Sequence, residues 1–144
     1  MAAPPEQVYG LVSDVTRTGE WSPECRRCRW LDGATGPAPR ARFRGWNRSG
    51  LIRWSRLAEV VSAEPGREFS WRTLPKGVKR DSTVWGFRLA DEDGTRVTQT
   101  YRIEVLPRFP VSLVMRLFLR HHGDMRPQMR ESLERIKTIV EAGE

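Results

Sequence analysis

The spacing of hydrophobic and polar residues changes twice along this chain. Near the N-terminus, apolar residues from Val8 to Val15 recur at helical spacing behind Pro4-Pro5-Glu6. Proline is tolerated in the first turn of a helix, and glutamate complements the positive end of the helix dipole. The pattern therefore predicts one helix over residues 4–14 and a shorter helical turn over residues 16–21.

The middle of the chain alternates apolar and polar residues with a period of two, which is typical of β-strands. Turn-forming residues separate the alternating runs, among them Ser49-Gly50, Glu64-Pro65-Gly66 and Asp91-Glu92-Asp93-Gly94. The pattern predicts about six strands, over residues 29–31, 41–47, 51–63, 68–73, 82–89 and 95–106.

The end of the chain returns to helical spacing. One apolar stripe is formed by Met125, Met129, Leu133, Ile136 and Val140, and Val114 and Phe118 extend it upstream. Gly123-Asp124 interrupts the pattern, and Asp124 suits an N-cap for the final segment. Because an antiparallel sheet with one apolar face must cover that face, we predict an α+β fold. A curved antiparallel sheet wraps around a long C-terminal helix, with two short N-terminal helices, in a single domain over residues 1–144.

Composition narrows the class of protein. The chain has 25 basic and 18 acidic residues and a net charge of +7, but the basic residues are scattered, which favours a solvated surface over a nucleic-acid or membrane partner. No apolar stretch approaches the ~20 residues that span a bilayer. The N-terminus has no signal-peptide pattern, and two cysteines do not indicate an oxidising compartment. We therefore expect a cytoplasmic protein.

Large aromatic residues fall on nearly every predicted strand. Six tryptophans are spread along the 144 residues, where a small core is more easily filled by Leu, Ile and Val. Two interpretations stay open: an ordinary aromatic core, or a cavity for a small hydrophobic ligand between sheet and helix. The predicted ligand-binding residues are Phe43, Asn47, Trp54, Phe69, Trp71, Trp85, Phe87, Gln99, Tyr101, Met125 and Met129.

Three polar residues share the inward faces of these strands: Asn47, Arg56 and Gln99. A buried polar group without a partner costs about 1–3 kcal/mol, so each must bond to the protein, to water or to a ligand. Gln99, between Val97 and Tyr101, is the foremost candidate for a polar contact with a ligand. Trp46 instead shares its face with arginines and is predicted to point outward. Phe43 lies opposite those arginines, so no nucleic-acid stacking surface is predicted.

Several local motifs resemble the START/polyketide cyclase-like superfamily (SRPBCC), which has the helix-grip fold of the birch pollen allergen. They are Ala3-Pro4-Pro5-Glu6-Gln7-Val8-Tyr9, Val12-Ser13-Asp14, Glu20-Trp21-Ser22-Pro23, Pro65-Gly66-Arg67-Glu68-Phe69, Gly94-Thr95-Arg96-Val97-Thr98 and Leu133-Glu134-Arg135-Ile136-Lys137. The resemblance spans nearly the whole chain and implies the fold more strongly than an activity. That superfamily normally has a strand before the first helix, and only Met1 and Ala2 precede the motif here. Either the sequence starts late or the sheet lacks an edge strand. A missing edge strand would expose unpaired backbone groups and favour a homodimer or aggregation.

The resemblance implies binding of a hydrophobic or aromatic molecule, or a lipid. The first alternative is a polyketide cyclase/aromatase-type enzyme acting in the same cavity, and the second is an interaction module using the basic surface. Catalysis would need an acid or base, for which Tyr101, His121, His122 and Asp14 are weak candidates. No cofactor or metal site is predicted.

Cys25-Arg26-Arg27-Cys28 is a lone Cys-x-x-Cys motif. A zinc site needs two further ligands at suitable spacing, and a redox motif is expected at the start of a helix rather than before a strand. Two unreactive thiols are therefore the favoured interpretation. The flanking arginines would lower a thiol pKa, which leaves sensitivity to oxidation open.

Overall fold

Six strands and three α-helices make up the part of the chain that the computed structural model describes, residues 1–75, 81–105 and 124–143. The helices are α1 (Pro5–Ser13), α2 (Thr18–Trp21) and α3 (Arg126–Ala142), with a 3-10 turn (Val15–Arg17) before α2. The strands are β1 (Cys25–Trp30), β2 (Arg42–Ser49), β3 (Ile52–Glu64), β4 (Glu68–Thr73), β5 (Ser82–Asp91) and β6 (Thr95–Val105). Each strand pairs antiparallel with the next along the chain. The predicted α+β helix-grip architecture is confirmed.

Cross-strand pairing sorts the tryptophans onto the two faces of the curved sheet. Trp71 of β4 lies opposite Trp85 of β5, and Trp85 lies opposite Tyr101 of β6. Residues directly opposite in an antiparallel pair share a face, so this row lies on the concave side. Trp46 is opposite Arg27, whose guanidinium carbon sits 4.2 Å from the centre of the indole ring. Trp46 therefore lies on the convex face among arginines, as its alternation predicts.

Three register shifts displace the strands from a simple alternation. One lies in the β5–β6 pairing, where Glu104 is an extra residue in β6. The other two are β-bulges in β1 and β3. Cys25 and Arg27 pair with consecutive residues of β2, which leaves Arg26 as an extra residue in β1. Val60 and Ser62 likewise pair with consecutive residues of β4, so Val61 is extra in β3. An extra residue on one strand increases the local twist and bends the strand. Both bulges help the sheet to curve, and neither has a glycine or proline to signal it.

The β2–β3 turn differs by one residue from its prediction. Ser49 pairs with Ile52, so the two turn residues are Gly50 and Leu51 rather than Ser49-Gly50. Gly50 has φ +60°, the left-handed region that glycine adopts without steric cost. Leu51 is 95% exposed at the tip.

The helices cover one end of the concave face. Pro5 opens α1 and Glu6 lies in its first turn, while Val8, Leu11 and Val12 are buried. The buried residues of α3 are Ser132, Ile136 and Val140, and the last two belong to the predicted apolar stripe. Ile136 and Val140 join one core cluster with the buried residues of α1 and with residues of β2 to β5.

The N-cap of α3 is Met125, one residue after the predicted Asp124, and its side chain makes no cap bond. The helix begins at Arg126, whose backbone N–H donates to Asp124 Oδ1 at 3.1 Å. Asp124 thus satisfies one of the free N–H groups at a helix start. The predicted upstream extension through Val114 and Phe118 lies outside the described residues.

The N-terminus bonds to the start of β6. The Met1 amino group donates to Thr95 O at 2.7 Å, and Thr95 N–H donates to Met1 O at 2.8 Å. Within the described ranges, no strand precedes α1 and none pairs along the remaining free edge of β6. Dimerisation through this edge stays a prediction. None of the described helices has the length and hydrophobicity needed to cross a membrane.

Candidate ligand site on the concave face

Three of the predicted ligand contacts lie in the packed core. Phe69 and Phe87 are 1% and 0% exposed, and Phe43 is 5% exposed. Tyr9 of α1 packs edge-on against Phe69 with ring centroids 6.5 Å apart, and Trp21 of α2 does so against Phe87 at 5.4 Å. These contacts close one end of the concave face, so Phe43, Phe69 and Phe87 form its floor.

The other end of the concave face presents half-buried aromatic side chains. Trp54, Trp71, Trp85 and Tyr101 all retain intermediate exposure. The rings of Trp85 and Tyr101 are 4.4 Å apart, and Trp71 lies 5.6 Å from Phe69 and 6.1 Å from Phe87. Trp71 thus connects the core floor with the half-buried end, where it lies opposite Trp85, and neighbouring aromatic rings of this kind suit a flat apolar ligand.

Gln99 has a buried oxygen at the border between these two ends. It lies opposite Phe87 and two residues before Tyr101 on the same strand. Its Oε1 is inaccessible to solvent, and no hydrogen-bond donor contacts it in the part of the chain that the structure describes. A buried acceptor without a partner is destabilising. A ligand hydroxyl or N–H group would remove that cost.

Two further buried polar atoms were missed by the sequence analysis. Trp21 Nε1 and Gln128 Oε1 also have no hydrogen-bond partner among the described residues. Trp21 packs on Phe87, the cross-strand neighbour of Gln99. Gln128 lies in the first turn of α3, one residue away from the predicted contact Met129. Trp21 stands in the Glu20-Trp21-Ser22-Pro23 motif, which does not signal an unpaired indole N–H, and no motif marks Gln128.

A buried ion pair borders the half-buried aromatic end. Arg56 Nη1 donates to Asp81 Oδ2 at 2.9 Å, and Arg56 Nη2 donates to Asp81 O at 2.9 Å. Their side chains are 15% and 7% exposed. This pairing accounts for one of the three inward polar residues predicted from the sequence. Asp81 was not anticipated because it precedes β5, outside the alternating pattern.

Tyr101 is held in its neutral form by its surroundings. Burial raises the pKa of the Tyr101 phenol, and the nearby Asp81 carboxylate raises that pKa further. At neutral pH the hydroxyl is therefore a hydrogen-bond donor and not a base. Close by, Trp85 Nε1 donates to Thr83 Oγ1 at 3.1 Å, and the Thr83 and Thr73 hydroxyls are 2.8 Å apart. Those bonds fix the indole plane of Trp85.

The remaining predicted residues lie at the margins of the site. Asn47 is half-buried on β2, opposite Trp54 and Cys25. Met125 is buried just before α3, and Met129 is half-buried within it. Asp14, a weak catalytic candidate, accepts from Thr16 N–H at 3.1 Å and caps the 3-10 turn. His121 and His122 lie outside the described residues.

A separate open cleft of about 390 Å³ lies away from this surface. It is lined by residues 2–6 and by Asp91, Asp93 and Gly94, at the β5–β6 turn. Its lining is largely backbone, proline and exposed carboxylate, without the aromatic side chains of the concave face. We therefore do not assign the ligand site to this cleft.

Comparison with known proteins agrees with this arrangement. The sequence profile of the family described as polyketide cyclase/dehydrase and lipid transport matches residues 1–141. This chain belongs to that family. The matched range includes the strands and helices that form the concave face. No functionally curated protein matches the sequence significantly.

Solved structures share the fold of this family member at low sequence identity. Protein MLL2253 from Mesorhizobium loti is 16% identical with a TM-score of 0.69, covering 100% of this chain and 93% of that one. Ara h 8.0201 is 12% identical with a TM-score of 0.63, covering 98% of this chain and 92% of that one. The di-domain aromatase/cyclase StfQ of the steffimycin biosynthetic pathway is 13% identical with a TM-score of 0.71. This chain is covered to 98% but spans only 48% of StfQ. These similarities establish the helix-grip fold and not a shared substrate.

Proposed function

We propose that this protein binds a small, flat, mainly apolar molecule that carries a hydrogen-bond donor. The ligand lies against Trp54, Trp71, Trp85 and Tyr101, and its donor bonds to Gln99 Oε1. The observation that carries the proposal is the buried, unpartnered Gln99 oxygen beside the half-buried aromatic side chains. Family membership supports a ligand-binding role for the concave face. We further expect this binding to take place in the cytoplasm.

Apolar burial would drive the binding. Burying apolar surface gains about 25 cal/mol per Å² before ordering costs are subtracted. The aromatic rings supply this surface with little loss of side-chain entropy, because Trp85 is already fixed by its bond to Thr83. The Gln99 contact would fix the orientation of the ligand, because any pose that places the donor elsewhere leaves the buried amide oxygen unpaired and is less stable.

Isothermal titration with 1-naphthol tests the proposal. It is a flat aromatic molecule with one hydroxyl donor. We expect saturable binding to the reduced wild-type protein and a Kd at least about tenfold weaker in Trp85→Leu, a loss equivalent to about 1.4 kcal/mol. Trp46→Leu is the matched control on the convex face and is expected to bind as the wild type does. Equal affinity in both variants, or no binding to any of the three proteins, would overturn the proposal.

A cyclase-type activity at the same surface is the second candidate. The observation that favours it is the neutral, partly buried Tyr101 hydroxyl beside Asp81, which can donate to a carbonyl oxygen of a bound substrate. Mass spectrometry of products formed from a poly-β-ketone, with Tyr101→Phe as the comparison, tests it. A cyclised product whose yield is unaffected by Tyr101→Phe would exclude Tyr101 as the proton donor.

A further inference from the structure

Cys25 and Cys28 lie in contact on β1. Their Sγ atoms are 3.3 Å apart, and Cys25 Sγ also lies 3.4 Å from Arg27 O. The Cys-x-x-Cys motif lies inside the strand and not before it, which corrects the sequence-based expectation. In a regular strand, residues three apart point to opposite faces and lie about 10 Å apart. A contact between these two side chains therefore needs an explanation.

The β-bulge at Arg26 brings the two thiols together. Cys25 lies opposite Asn47 and Cys28 lies opposite Gly45, so the extra residue places both cysteines on the same face. Their partners are two positions apart on β2, or about 6.6 Å along a strand. A disulfide requires Cα atoms about 4.4–6.8 Å apart. The partner spacing falls within that range, and the 3.3 Å between the sulfur atoms shows that the two side chains already meet.

Gly45 leaves the space that the sulfur atoms occupy. A Cβ built at this position would lie 3.3 Å from Cys28 Sγ and 3.6 Å from Cys25 Sγ. A side chain at this position would press on Cys28 Sγ and would lie in ordinary van der Waals contact with Cys25 Sγ. The glycine is therefore matched to the thiol pair across the β1–β2 ladder.

The two thiols differ in pKa and in exposure to solvent. Burial and the hydrogen bond with Cys28 raise the pKa of Cys25, with the hydrogen bond the larger cause. The hydrogen bond from Cys25 lowers the pKa of Cys28, and the Thr18 hydroxyl contributes in the same direction. Cys25 is 8% exposed, whereas Cys28 is half-buried. Cys28 is the more accessible and more acidic of the two, as the attacking cysteine of a redox pair must be.

We propose that Cys25 and Cys28 form a redox-active dithiol that closes reversibly to an intramolecular disulfide. The oxidant is a low-molecular-weight disulfide. The Cys28 thiolate attacks one of its sulfur atoms, forms a mixed disulfide and releases the first small thiol. Cys25 then loses its proton and attacks Cys28 Sγ, forming the protein disulfide and releasing the second small thiol. Two protein thiols are oxidised, and one small disulfide is reduced to two thiols.

Oxidised glutathione is the probe that tests this proposal. The reduced protein is mixed with it at neutral pH, quenched with acid and weighed by mass spectrometry. We expect the wild type to lose two hydrogen atoms and to retain no glutathione. Cys25→Ser is expected to accumulate one glutathione adduct on Cys28. Cys28→Ser is expected to react at least about tenfold more slowly, because the remaining thiol is buried and less acidic.

The mass of the wild-type product tests whether the internal disulfide forms, even if a variant folds poorly. A wild type that keeps glutathione on a cysteine and forms no internal disulfide would overturn the proposal. Equal rates in the two folded variants would overturn the assigned order of attack. The rates of the urea-unfolded variants are the reference for this comparison. In each unfolded variant the remaining thiol is exposed, so a rate difference present only in the folded variants comes from the fold. Recovery of the dithiol on addition of reduced glutathione establishes reversibility.

Discussion

Trp85 and Tyr101 lie directly opposite each other on β5 and β6, with ring centroids 4.4 Å apart. Neither is sealed in the core, although Phe87, two residues along β5 from Trp85, is fully buried. The boundary between closed core and half-buried aromatic surface therefore falls within one strand. Gln99 lies opposite Phe87 and at that boundary, which makes it the residue whose replacement is most informative.

Replacement of Gln99 is expected to separate stability from binding. Gln99→Leu removes a buried oxygen that has no partner in the described part of the molecule, so the free energy of unfolding should rise by about 1 kcal/mol. Urea denaturation measures it. Thr98→Val, on the exposed opposite face of β6, is the control and should change stability by less than about 0.5 kcal/mol. A clear loss of stability in Gln99→Leu would contradict the assignment of an unsatisfied acceptor.

The Arg56–Asp81 pair is expected to matter more than an exposed pair of the same type. Arg56→Met leaves the Asp81 carboxylate, whose side chain is 7% exposed, without its partner, at a cost of about 3 kcal/mol. Arg42→Met breaks a pair whose side chains are 47% and 28% exposed, at a cost of less than about 1 kcal/mol. Chemical denaturation of the two variants compares them. Equal losses would contradict the importance of burial at Arg56.

The tyrosines are expected to ionise late. The chain has two, and burial raises the pKa of both Tyr9 and Tyr101. A raised pKa in the folded state means that stability is fully present below the unfolded value, about 10, and is lost as the pH rises through the folded value. Ultraviolet absorbance of phenolate should therefore show no titration at the ordinary pH in the native protein. The Tyr9→Phe variant isolates Tyr101, and a normal titration there would contradict its placement beside Asp81.

Alternation of residue types predicted the faces of the sheet correctly. It placed Trp71 and Trp85 on the concave side and Trp46 on the convex side, because side-chain direction follows from a period of two. Alternation could not predict that Phe87 is fully buried and Trp85 only half-buried, since both side chains face inward. Which of them is sealed depends on where α2 places Trp21, a tertiary contact that alternation along a strand does not encode.

The bulges account for most of what the sequence did not predict. The extra residue Arg26 carries no glycine or proline signal, yet it brings Cys25 and Cys28 to one face. The arginines beside the cysteines suggested a depressed thiol pKa, but the hydrogen bonds from Cys25 and Thr18 lower the pKa of Cys28. Trp30, which had no assigned role, packs edge-on against Phe43 at 5.7 Å. The contact between the cysteines depends on the bulge and the Trp30–Phe43 contact on the register of β1 and β2, whereas the effect of Thr18 depends on where α2 lies.

The affinity ratio of two probes tests the central claim most directly. 1-Naphthol carries a hydroxyl donor, whereas 1-methoxynaphthalene has nearly the same shape and no donor. We expect the wild type to bind 1-naphthol about tenfold more tightly, equivalent to about 1.4 kcal/mol for one hydrogen bond to a buried oxygen. Titration calorimetry should show that ratio falling close to one in Gln99→Leu and unchanged in Thr98→Val. An equal ratio in the wild type and Gln99→Leu would contradict a ligand site that includes Gln99.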